Sequence, residues 1–411
     1  MTPLSASLII VSRHRPAALM RALAGVAQMD HPSFEVIVVA DPAAAQAVRA
    51  AKLQVKLAEY DSANISAARN IGLQLAAAPI AAFLDDDAVP EPTWLSRLTA
   101  PFADIRVTAA GGYVLGRSGL SWQWRAMWVD GDGIDHPFTP PEGISLHAGT
   151  ATRAIKTQGT NCAFRRDDLL AIGGFDAGFA FYLDEADVNL RLAARGGLTA
   201  IVPDAVVHHG FAASDRRRAD RVPTDLTQIG RSLARFTALH GQSPDAIAKH
   251  VTDQRARLLR HMISGALEPR DIGRLMAGLQ DGIAAANTQA YSQTPLAPTT
   301  AAFLALPDTA PRTGRVLFGT KAQCHALYSN ATAARARGEI VTAILLSRGM
   351  RPHTHRFTEH GWWEQTGGRF GPAFRLGQRF VWQTAAKRRN IETTRLANYR
   401  PVGPILPPKT D

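Results

Sequence analysis

The sequence predicts an α/β protein with a doubly wound, mainly parallel sheet. Residues 7–12, 34–40 and 78–84 are short runs that are apolar along nearly their whole length. Such runs are typical of strands that are buried on both faces of a parallel sheet. Residues 17–28, 43–51 and 66–77 have helical patterns, and they follow or separate these runs. Alternation of strands and helices is the signature of a doubly wound fold.

Three consecutive carboxylates, Asp85, Asp86 and Asp87, follow the third apolar run. Like charges this close repel each other unless a cation neutralises them. Carboxylate oxygens suit Mg²⁺ or Mn²⁺, and these ions in turn suit a diphosphate. Asp41 follows the second run, so it would lie at the same carboxyl edge, where ligands of such sheets bind. The alternative is an acidic turn that binds nothing.

Seven segments together resemble the inverting, nucleotide-sugar-dependent glycosyltransferases of family 2, which have the Rossmann-like GT-A fold. They occur in the family's order within roughly residues 4–212, about half of the chain. The segments are residues 7–16, 36–41, 66–72, 83–87, 173–176, 184–192 and 206–210.

The resemblance implies a donor site at the carboxyl edge of the sheet. Asp85 would lie near the ribose and Asp87 on the metal, and Asp86 between them could serve either role. The family often has two acids at the end of the second strand, and this chain has Ala40 at the first of those positions. Arg69 would contact the nucleotide, or it could be a surface arginine on a helix. The residues implied to bind the nucleotide sugar are Ser12, Arg13, Asp41, Arg69, Asp85 and Asp86.

The resemblance also implies a carboxylate base, because inversion needs the attacking hydroxyl to lose its proton. Glu185 falls on the family's base position, and Asp184 is the acid before it. Helical spacing predicts a helix that begins near Asp187 and ends at residues 196–197. The two acids would then lie at the N-terminus of the helix, where its dipole favours anions. The alternative is that these acids only cap the helix, and Asp187 fits that role best.

Two histidines end a further predicted strand. Imidazole suits Mn²⁺ beside carboxylates. In the family, a histidine soon after a proline such as Pro203 completes the metal site. That spacing favours His209 as the ligand beside Asp87, with His208 as the alternative.

Two residues are candidates for binding the acceptor. Asp176 follows a Gly-Gly turn, so it could hydrogen-bond an acceptor hydroxyl or only cap the turn. Trp122 could stack on a sugar ring, or it could pack in the core.

Composition and length exclude other classes of protein. The chain has 411 residues, enough for two or three domains, and its two cysteines imply no disulfide framework. No apolar run approaches the ~20 residues that a membrane span needs. We therefore expect a cytoplasmic protein. The net charge of +11 leaves open peripheral contact with an anionic membrane at its inner face. Without a recognisable nucleic-acid motif, we expect no nucleic-acid partner.

The second half of the chain has a different character. We predict a catalytic domain over residues 1–212, a helical appendage of about three helices over 213–287, and a linker over 288–313. Two strands with a helix between them indicate a small α/β C-terminal module over 314–411, whose role the sequence leaves open. His353 and His355 are expected on the surface of this module rather than in a second metal site.

These observations predict an inverting glycosyltransferase of polysaccharide or cell-envelope biosynthesis. It would move a sugar from a nucleoside-diphosphate sugar to a glycan or lipid-linked acceptor. Mg²⁺ or Mn²⁺ would bind the diphosphate, and a carboxylate would act as the base. The alternative is a catalytically silent protein that binds a nucleotide or glycan on the same fold.

Overall fold

The computed structural model describes residues 3–210, 214–289, 294–307, 312–375, 377–378 and 380–403. In its first quarter, strands alternate with helices, as the sequence predicts. These elements are β1 (Ala6–Ser12), α1 (Pro16–Val26), β2 (Phe34–Ala40), α2 (Pro42–Ala50), β3 (Lys56–Glu59), α3 (Ile65–Leu75), β4 (Ile80–Asp85), β5 (Ala88–Pro90) and α4 (Trp94–Thr99).

Seven further strands then precede two helices and a long strand. They are β6 (Val107–Leu115), β7 (Trp122–Trp124), β8 (Met127–Asp130), β9 (Asp135–Pro137), β10 (Ser145–Ala148), β11 (Arg153–Ile155), β12 (Cys162–Arg165), α5 (Arg166–Ala171), α6 (Asp184–Ala194) and β13 (Leu198–His209).

The main sheet has ten strands, in the order β10-β13-β6-β12-β4-β1-β2-β3, with β5 paired to β13 and β7 to β6. The pairs β1–β2, β1–β4, β2–β3 and β6–β13 are parallel, whereas β12 runs antiparallel to both of its neighbours. Helices α1, α2 and α4 cover one face, and α3, α5 and α6 cover the other. The predicted fold class is therefore confirmed.

Local signals set where several helices begin. Proline occupies the first turn of α1 and α2, where its missing N–H would have had no helical partner. The side chain of Asp41 caps α2, and that of Asn64 accepts from the N–H of Ala67 at the start of α3. Asp41 directly follows β2, and Asn64 lies in the loop between β3 and α3, so each helix begins at a capping residue that lies between it and the preceding strand.

The predicted helical appendage consists of three helices, α7 (Thr227–His240), α8 (Ala246–Ile263) and α9 (Pro269–Ala284). Their apolar faces share one core with α6, which brings Leu233 and Phe236 of α7 against Leu190 and Phe179. The appendage therefore supports the helix on which Asp184 and Glu185 lie.

Residues 294–307 run back along the main sheet. The N–H groups of Leu296, Thr299 and Leu306 donate to the carbonyls of Leu170, Gln74 and Phe34 at 2.9, 2.9 and 2.8 Å. This predicted linker is thus hydrogen-bonded to the first domain.

The C-terminal module is a second, smaller α/β unit. Its elements are β14 (Gly314–Gly319), α10 (Cys324–Ala336), β15 (Ile340–Ser347), β16 (Thr354–Phe357), β17 (Trp363–Gly368) and α11 (Ala385–Ala397). The strand order is β14-β15-β17-β16, with the first three strands parallel. This agrees with the predicted module.

The expectation that His353 and His355 lie on the surface is wrong, because both are buried in the module. The carbonyl of Gly368 lies 2.9 Å from His353 Nε2, and Arg395 of α11 approaches His355. Isolated histidines in a polar segment carry no periodic signal of burial, so the sequence could not show this.

The described helices include none that is long and apolar enough to cross a membrane. The two cysteines, Cys162 and Cys324, are both free thiols.

Replacing Asn161 by leucine should destabilise the main sheet. The buried Asn161 amide accepts from the indole N–H of Trp94 at 2.7 Å and donates to the carbonyls of Tyr113 and Ala205 at 2.9 and 2.8 Å. Each buried polar group left without a partner costs about 1–3 kcal/mol. We therefore expect a loss of roughly 3 kcal/mol or more in the free energy of unfolding, measured by chemical denaturation.

The matched control is Asn330→Leu, at an exposed position of α10. Surface changes of this kind usually stay within about 0.5 kcal/mol. Equal unfolding free energies for the two variants would contradict the importance of the Asn161 hydrogen bonds.

Candidate active site

The acidic triplet divides between two environments. Asp85 and Asp87 line a cavity of about 440 Å³ at the carboxyl ends of β1 and β4, which we call the strand-end cavity. Asp86 is buried: the hydroxyl of Ser12 donates to it at 2.7 Å, and the Arg15 guanidinium lies 2.6 Å away. Burial raises the pKa of Asp86 to about 7, although Arg15 acts in the opposite direction. Asp86 thus contributes to the structure of the strand-end loops.

Asp85, Asp87 and His209 form the one group in the described part of the chain whose side chains could hold a metal ion. Their ligand atoms all lie within 4.8 Å of one another. His209 Nε2 is 3.0 Å from Asp87 Oδ1, and its Nδ1 is 2.9 Å from Gln123 Oε1. A second partner of this kind fixes the orientation of a ligating imidazole. Two carboxylates and an imidazole are suitable donors for Mn²⁺ or Mg²⁺.

The pairing of β13 distinguishes between the two histidines that the sequence left as alternatives. Successive side chains of a strand point to opposite faces. His209 lies with the carboxylates, whereas His208 Nε2 lies 2.8 Å from Glu91 Oε1 and its ring packs 4.9 Å from that of Trp363. The geometry therefore favours His209 as a ligand.

Arg15 is a component of this site that the sequence analysis did not assign. Its guanidinium lies 2.6 Å from Asp86 and 3.3 Å from Asp87. One cation thus offsets part of the repulsion within the acidic triplet. Its position just after β1, at the edge where ligands bind, was the one available signal.

Ser12 and Arg13 both line the strand-end cavity. Arg13 Nε lies 3.0 Å from Asp61 Oδ1, and its side chain is about one-third exposed. Asp41 has a different environment. Its carboxylate accepts from the backbone N–H groups of His14, Ala43 and Ala44 at 2.7, 3.0 and 3.3 Å. These bonds outweigh the effect of burial and lower the pKa of Asp41. A contact of Asp41 with the nucleobase stays a prediction.

Arg69 is buried, so its interpretation as a surface arginine is wrong. Its guanidinium is ion-paired with Asp184, donates to Glu185 at 2.8 Å and lies 3.6 Å from Asp85. It also lies over the ring of Phe175 at 5.3 Å. Arg69 therefore joins the metal-binding group to the two acids of α6. Its contact with the nucleotide stays a prediction.

The helix that carries the proposed base begins at Asp184, not near Asp187 as the spacing predicted. Two non-glycine residues just before it, Tyr182 and Leu183, have φ values of 76° and 67°. Such left-handed backbone costs energy, and it persists where the surroundings hold it in place. The first turn of α6 is acidic, so it lacked the apolar periodicity that would have shown the start.

Asp184 and Glu185 differ in exposure and in ionisation. The side chain of Glu185 is 18% exposed and that of Asp184 is 4% exposed. Burial and the neighbouring Glu185 charge raise the pKa of Asp184 well above its usual range. Burial acts to raise the pKa of Glu185 too, but the charge and hydrogen bond of Arg69 outweigh it and lower that pKa. Glu185 is therefore the more accessible member of the pair and the one that loses its proton first.

Asp187 does not cap α6. Its carboxylate forms an ion pair with Arg191 at 2.6 Å and lies 2.9 Å from His240 Nε2 of α7. These contacts hold the appendage against the helix, so Asp187 has a structural role that the capping interpretation missed.

Gly159 is a second feature of the site, and the sequence analysis did not predict its close approach to Arg69 and Glu185. A Cβ at this position would overlap both the guanidinium of Arg69 and the carboxylate of Glu185. The backbone of the loop before β12 thus covers this ion pair at a distance that only glycine permits.

The two predicted acceptor-binding residues lie apart. Asp176 is buried, where it accepts from Arg235 at 2.6 Å and from the N–H of Gly178 at 2.8 Å. Its observed contacts are those of a turn and an ion pair. Trp122 is half-buried, with its ring edge-on to Tyr113 at 5.4 Å, and it lines a large groove described below. The acceptor roles of both residues stay predictions.

The family model described as "Glycosyltransferase like family 2" matches residues 3–222. A curated relative is the O-antigen biosynthesis protein RfbC of Myxococcus xanthus, which is 30% identical over 233 residues. That match covers 53% of this chain and 18% of RfbC, so the chain spans less than a fifth of the relative's length.

Two solved structures are also similar to this chain. One is GalNAc-T7 with UDP, GalNAc and Mn²⁺, at a TM-score of 0.44 and 18% identity, covering 68% of this chain and 54% of that one. The other is the mannosyltransferase PcManGT of Pyrobaculum calidifontis with GDP-Man and Mn²⁺. Its TM-score is 0.41 at 16% identity, and the match covers 69% of this chain and 87% of that one.

Gly159→Ala should lower the stability of the protein, because the added methyl group must displace Arg69 or Glu185. Overpacking of this kind typically costs about 1–3 kcal/mol. Chemical denaturation would measure the change in the free energy of unfolding.

Gly273→Ala is the matched control, because a Cβ at this position in α9 meets open space. There, alanine should stabilise the helix by up to about 1 kcal/mol. A Gly159→Ala protein as stable as the wild type would show that the loop can move away from the ion pair.

Proposed function

The chain belongs to glycosyltransferase family 2, and we propose that it transfers a sugar, with inversion, from a nucleoside-diphosphate sugar to a glycan or lipid-linked acceptor. The resemblance drawn from its motifs is thereby confirmed at the level of the family. The stereochemistry, the acceptor and the roles of individual residues belong to the proposal. The naming of RfbC for O-antigen biosynthesis supports a glycan acceptor.

The position of Arg69 is the observation that carries this proposal. One buried guanidinium lies 3.6 Å from Asp85, a member of the metal-binding group, and 2.8 Å from Glu185. A sugar whose diphosphate occupied the strand-end cavity would therefore have its reacting carbon near an ionised carboxylate. Displacement with inversion requires that proximity of leaving group and base.

Asp85, Asp87 and His209 would hold Mg²⁺ or Mn²⁺ in this proposal, with Asp85 also facing the ribose. A bound divalent cation supplies Lewis-acid stabilisation of the negative charge that develops on the leaving diphosphate. Arg15 adds positive charge at the same edge of the sheet. Ser12 and Arg13 would contact the nucleotide in the strand-end cavity that they line.

Glu185 would accept the proton of the acceptor hydroxyl. It is the more exposed of the two acids of α6, and its lowered pKa keeps it ionised at neutral pH. Arg69 holds the Glu185 carboxylate in place and would itself stay protonated throughout. Asp184, whose pKa is raised, would assist by orienting Arg69.

His209→Ala should weaken binding of Mn²⁺ together with a nucleoside diphosphate. Loss of even an outer-shell partner typically costs about 10–100-fold in metal affinity, so loss of a ligand should cost at least as much. Thermal melting against a panel of nucleoside diphosphates, with and without Mn²⁺, would measure this as a lost stabilisation.

His208→Ala is the control, because this neighbouring imidazole faces Glu91. We expect the Mn²⁺-dependent shift to persist in that variant. A shift that survives in His209→Ala and disappears in His208→Ala would reverse the assignment of the ligand.

Glu185→Gln should remove sugar transfer while leaving donor binding intact. Glutamine keeps the shape of the side chain but cannot accept the proton, and general bases typically contribute about 10²–10⁴-fold to the rate. Initial rates of nucleoside-diphosphate release in the presence of acceptor would measure the loss.

Melting with Mn²⁺ and nucleotide provides the control for donor binding by Glu185→Gln. Retained turnover in this variant would reject Glu185 as the base. If the wild-type protein binds the nucleotide sugar but never releases nucleoside diphosphate from it, the result would instead favour a catalytically silent binding protein.

A further inference from the structure

A large groove separates the main sheet from the C-terminal module. We call it the interdomain groove; its volume is about 1,520 Å³. Residues of the β6–β7 hairpin, including Trp122 and Gln123, form one wall. Residues of β15, β17 and the loops of the module form the other. The groove is thus made by both parts of the chain, and neither part has it alone.

The charge of this groove is strongly positive. Among the described residues that line it are six cationic side chains and one carboxylate, Glu364. That carboxylate is already ion-paired with Arg356 at 2.6 Å and accepts a hydrogen bond from Tyr328. The groove therefore has positive charge available to a ligand. The six cationic residues are Arg117, Arg221, Lys321, Arg351, Arg356 and Arg375.

The groove lies at the carboxyl edge of the small parallel sheet. Lys321 comes just after β14, Ser347 ends β15, and Thr366 and Gly367 lie near the end of β17; all four line the groove. Ligands of open parallel sheets bind beyond the carboxyl ends of the strands. The carboxyl edge of the small sheet, the edge at which parallel sheets usually bind ligands, thus faces the first domain.

Backbone hydrogen bonds hold the two walls together. The N–H groups of His355 and Arg375 donate to the carbonyls of Ser118 and Leu120 at 2.7 and 3.0 Å. Gly119 between them lies against His355 so closely that a Cβ would come within 2.6 Å of it. The walls are therefore fixed with respect to each other.

The groove leads to the proposed transfer site. A second cavity, of about 450 Å³, includes Asp87 and His209 in its lining. It shares five lining residues with the interdomain groove: Gly116, Arg117, Tyr328, Arg356 and Glu364. A chain molecule lying in the groove could therefore extend one end to the metal-binding group.

We propose that the interdomain groove binds the acceptor, and that this acceptor is an anionic glycan bearing carboxylate or phosphate groups. This inference rests on the proposed function and adds the chemical class of the acceptor. Arginine and lysine would form charge-assisted hydrogen bonds to the anionic groups. The ring of Trp122 offers a face for a sugar of the same chain.

The shape of the groove favours a glycan over a membrane surface. A bilayer is flat on the scale of this molecule, so it can contact exposed rims but cannot enter a concavity between two domains. A glycan is a narrow chain, which fits a groove that continues to the transfer site. The cations line that groove, so such a chain would reach several of them at once.

The test compares two charge-reversed proteins. Lys321→Glu/Arg351→Glu changes two exposed side chains of the groove, outside the proposed catalytic machinery. Arg348→Glu/Lys387→Glu makes the same change of charge at exposed positions of the module that do not line the groove. Calorimetry would measure binding of hexagalacturonate, of phosphorylated maltohexaose and of neutral maltohexaose to each protein.

We expect the wild type and the control variant to bind at least one acidic oligosaccharide and to show no measurable binding of neutral maltohexaose. The groove variant should bind the acidic probe at least about tenfold more weakly. Binding by the wild type should weaken as salt rises from about 0.05 to 0.5 M, because ions screen exposed charges. Mn²⁺-dependent stabilisation by nucleotide should persist in the groove variant, which shows that it is folded.

Three outcomes would overturn the inference: equal affinity of the groove and control variants, equal affinity for neutral and acidic probes, or no binding of any acidic probe. Vesicles of phosphatidylglycerol and of phosphatidylcholine provide a further arm. Vesicle binding that depends on Lys321 and Arg351, without oligosaccharide binding, would replace the glycan by a membrane. Groove-dependent binding of the acidic glycan without any nucleotide binding would reject the proposed transferase and leave the groove as a glycan site.

Discussion

The burial of Arg69 is the constraint on which the site depends. A guanidinium without water is tolerated only when carboxylates compensate it. Asp85, Asp184 and Glu185 provide that compensation from β4 and from the first turn of α6. Because Arg69 lies on α3, the end of β4 and the first turn of α6 must both lie beside that helix. The ion pair thus fixes where the metal-binding group and the proposed base lie relative to each other.

The helical appendage serves the same arrangement. Arg235 of α7 is ion-paired with Asp176, His240 contacts Asp187, and Ser232 donates to the carbonyl of Phe181. These contacts surround the left-handed residues before α6. An unfavourable backbone conformation persists when its surroundings over-determine it. The appendage gives that support from outside the main sheet. Asp225 and Gln228, at the start of α7, also line the strand-end cavity, so residues after 222 contribute to the site in both ways.

The sequence predicted best those elements whose residues are apolar over a continuous run. Strands β1, β2 and β4 are buried on both faces, so their apolar runs were visible. Strand β3 has only four residues, three partly buried and one exposed, and it gave no comparable signal. The order of motifs indicated the family and the site edge, and the choice between His208 and His209 required the pairing of β13.

Other features depended on tertiary neighbours that no local pattern encodes. The start of α6 is set by contacts of an acidic turn with Arg69. The role of Gly159 follows from the close approach of Arg69 and Glu185 to its Cα. The burial of His353 follows from the packing of α11. The carboxylate of Asp41 accepts hydrogen bonds from the backbone N–H groups of His14 and Ala43, which the sequence did not predict, and its contact with the nucleotide stays a prediction. A sequence shows that a carboxylate follows a strand, but it does not show which hydrogen-bond donors contact that carboxylate in the folded protein.

Glu91 has a consequence for how the two parts of the chain influence each other. Arg400, near the end of the described chain, is ion-paired with Glu91 and lies 3.7 Å from the ring of Trp363, while Glu91 also contacts His208. His208 and His209 are consecutive on β13, so docking of the module and ordering of the metal-binding strand share one segment. Free-energy coupling is reciprocal. If docking of the module raises the affinity for the cation, a bound cation must strengthen docking by the same free energy. The module would then report whether the metal-binding group is occupied.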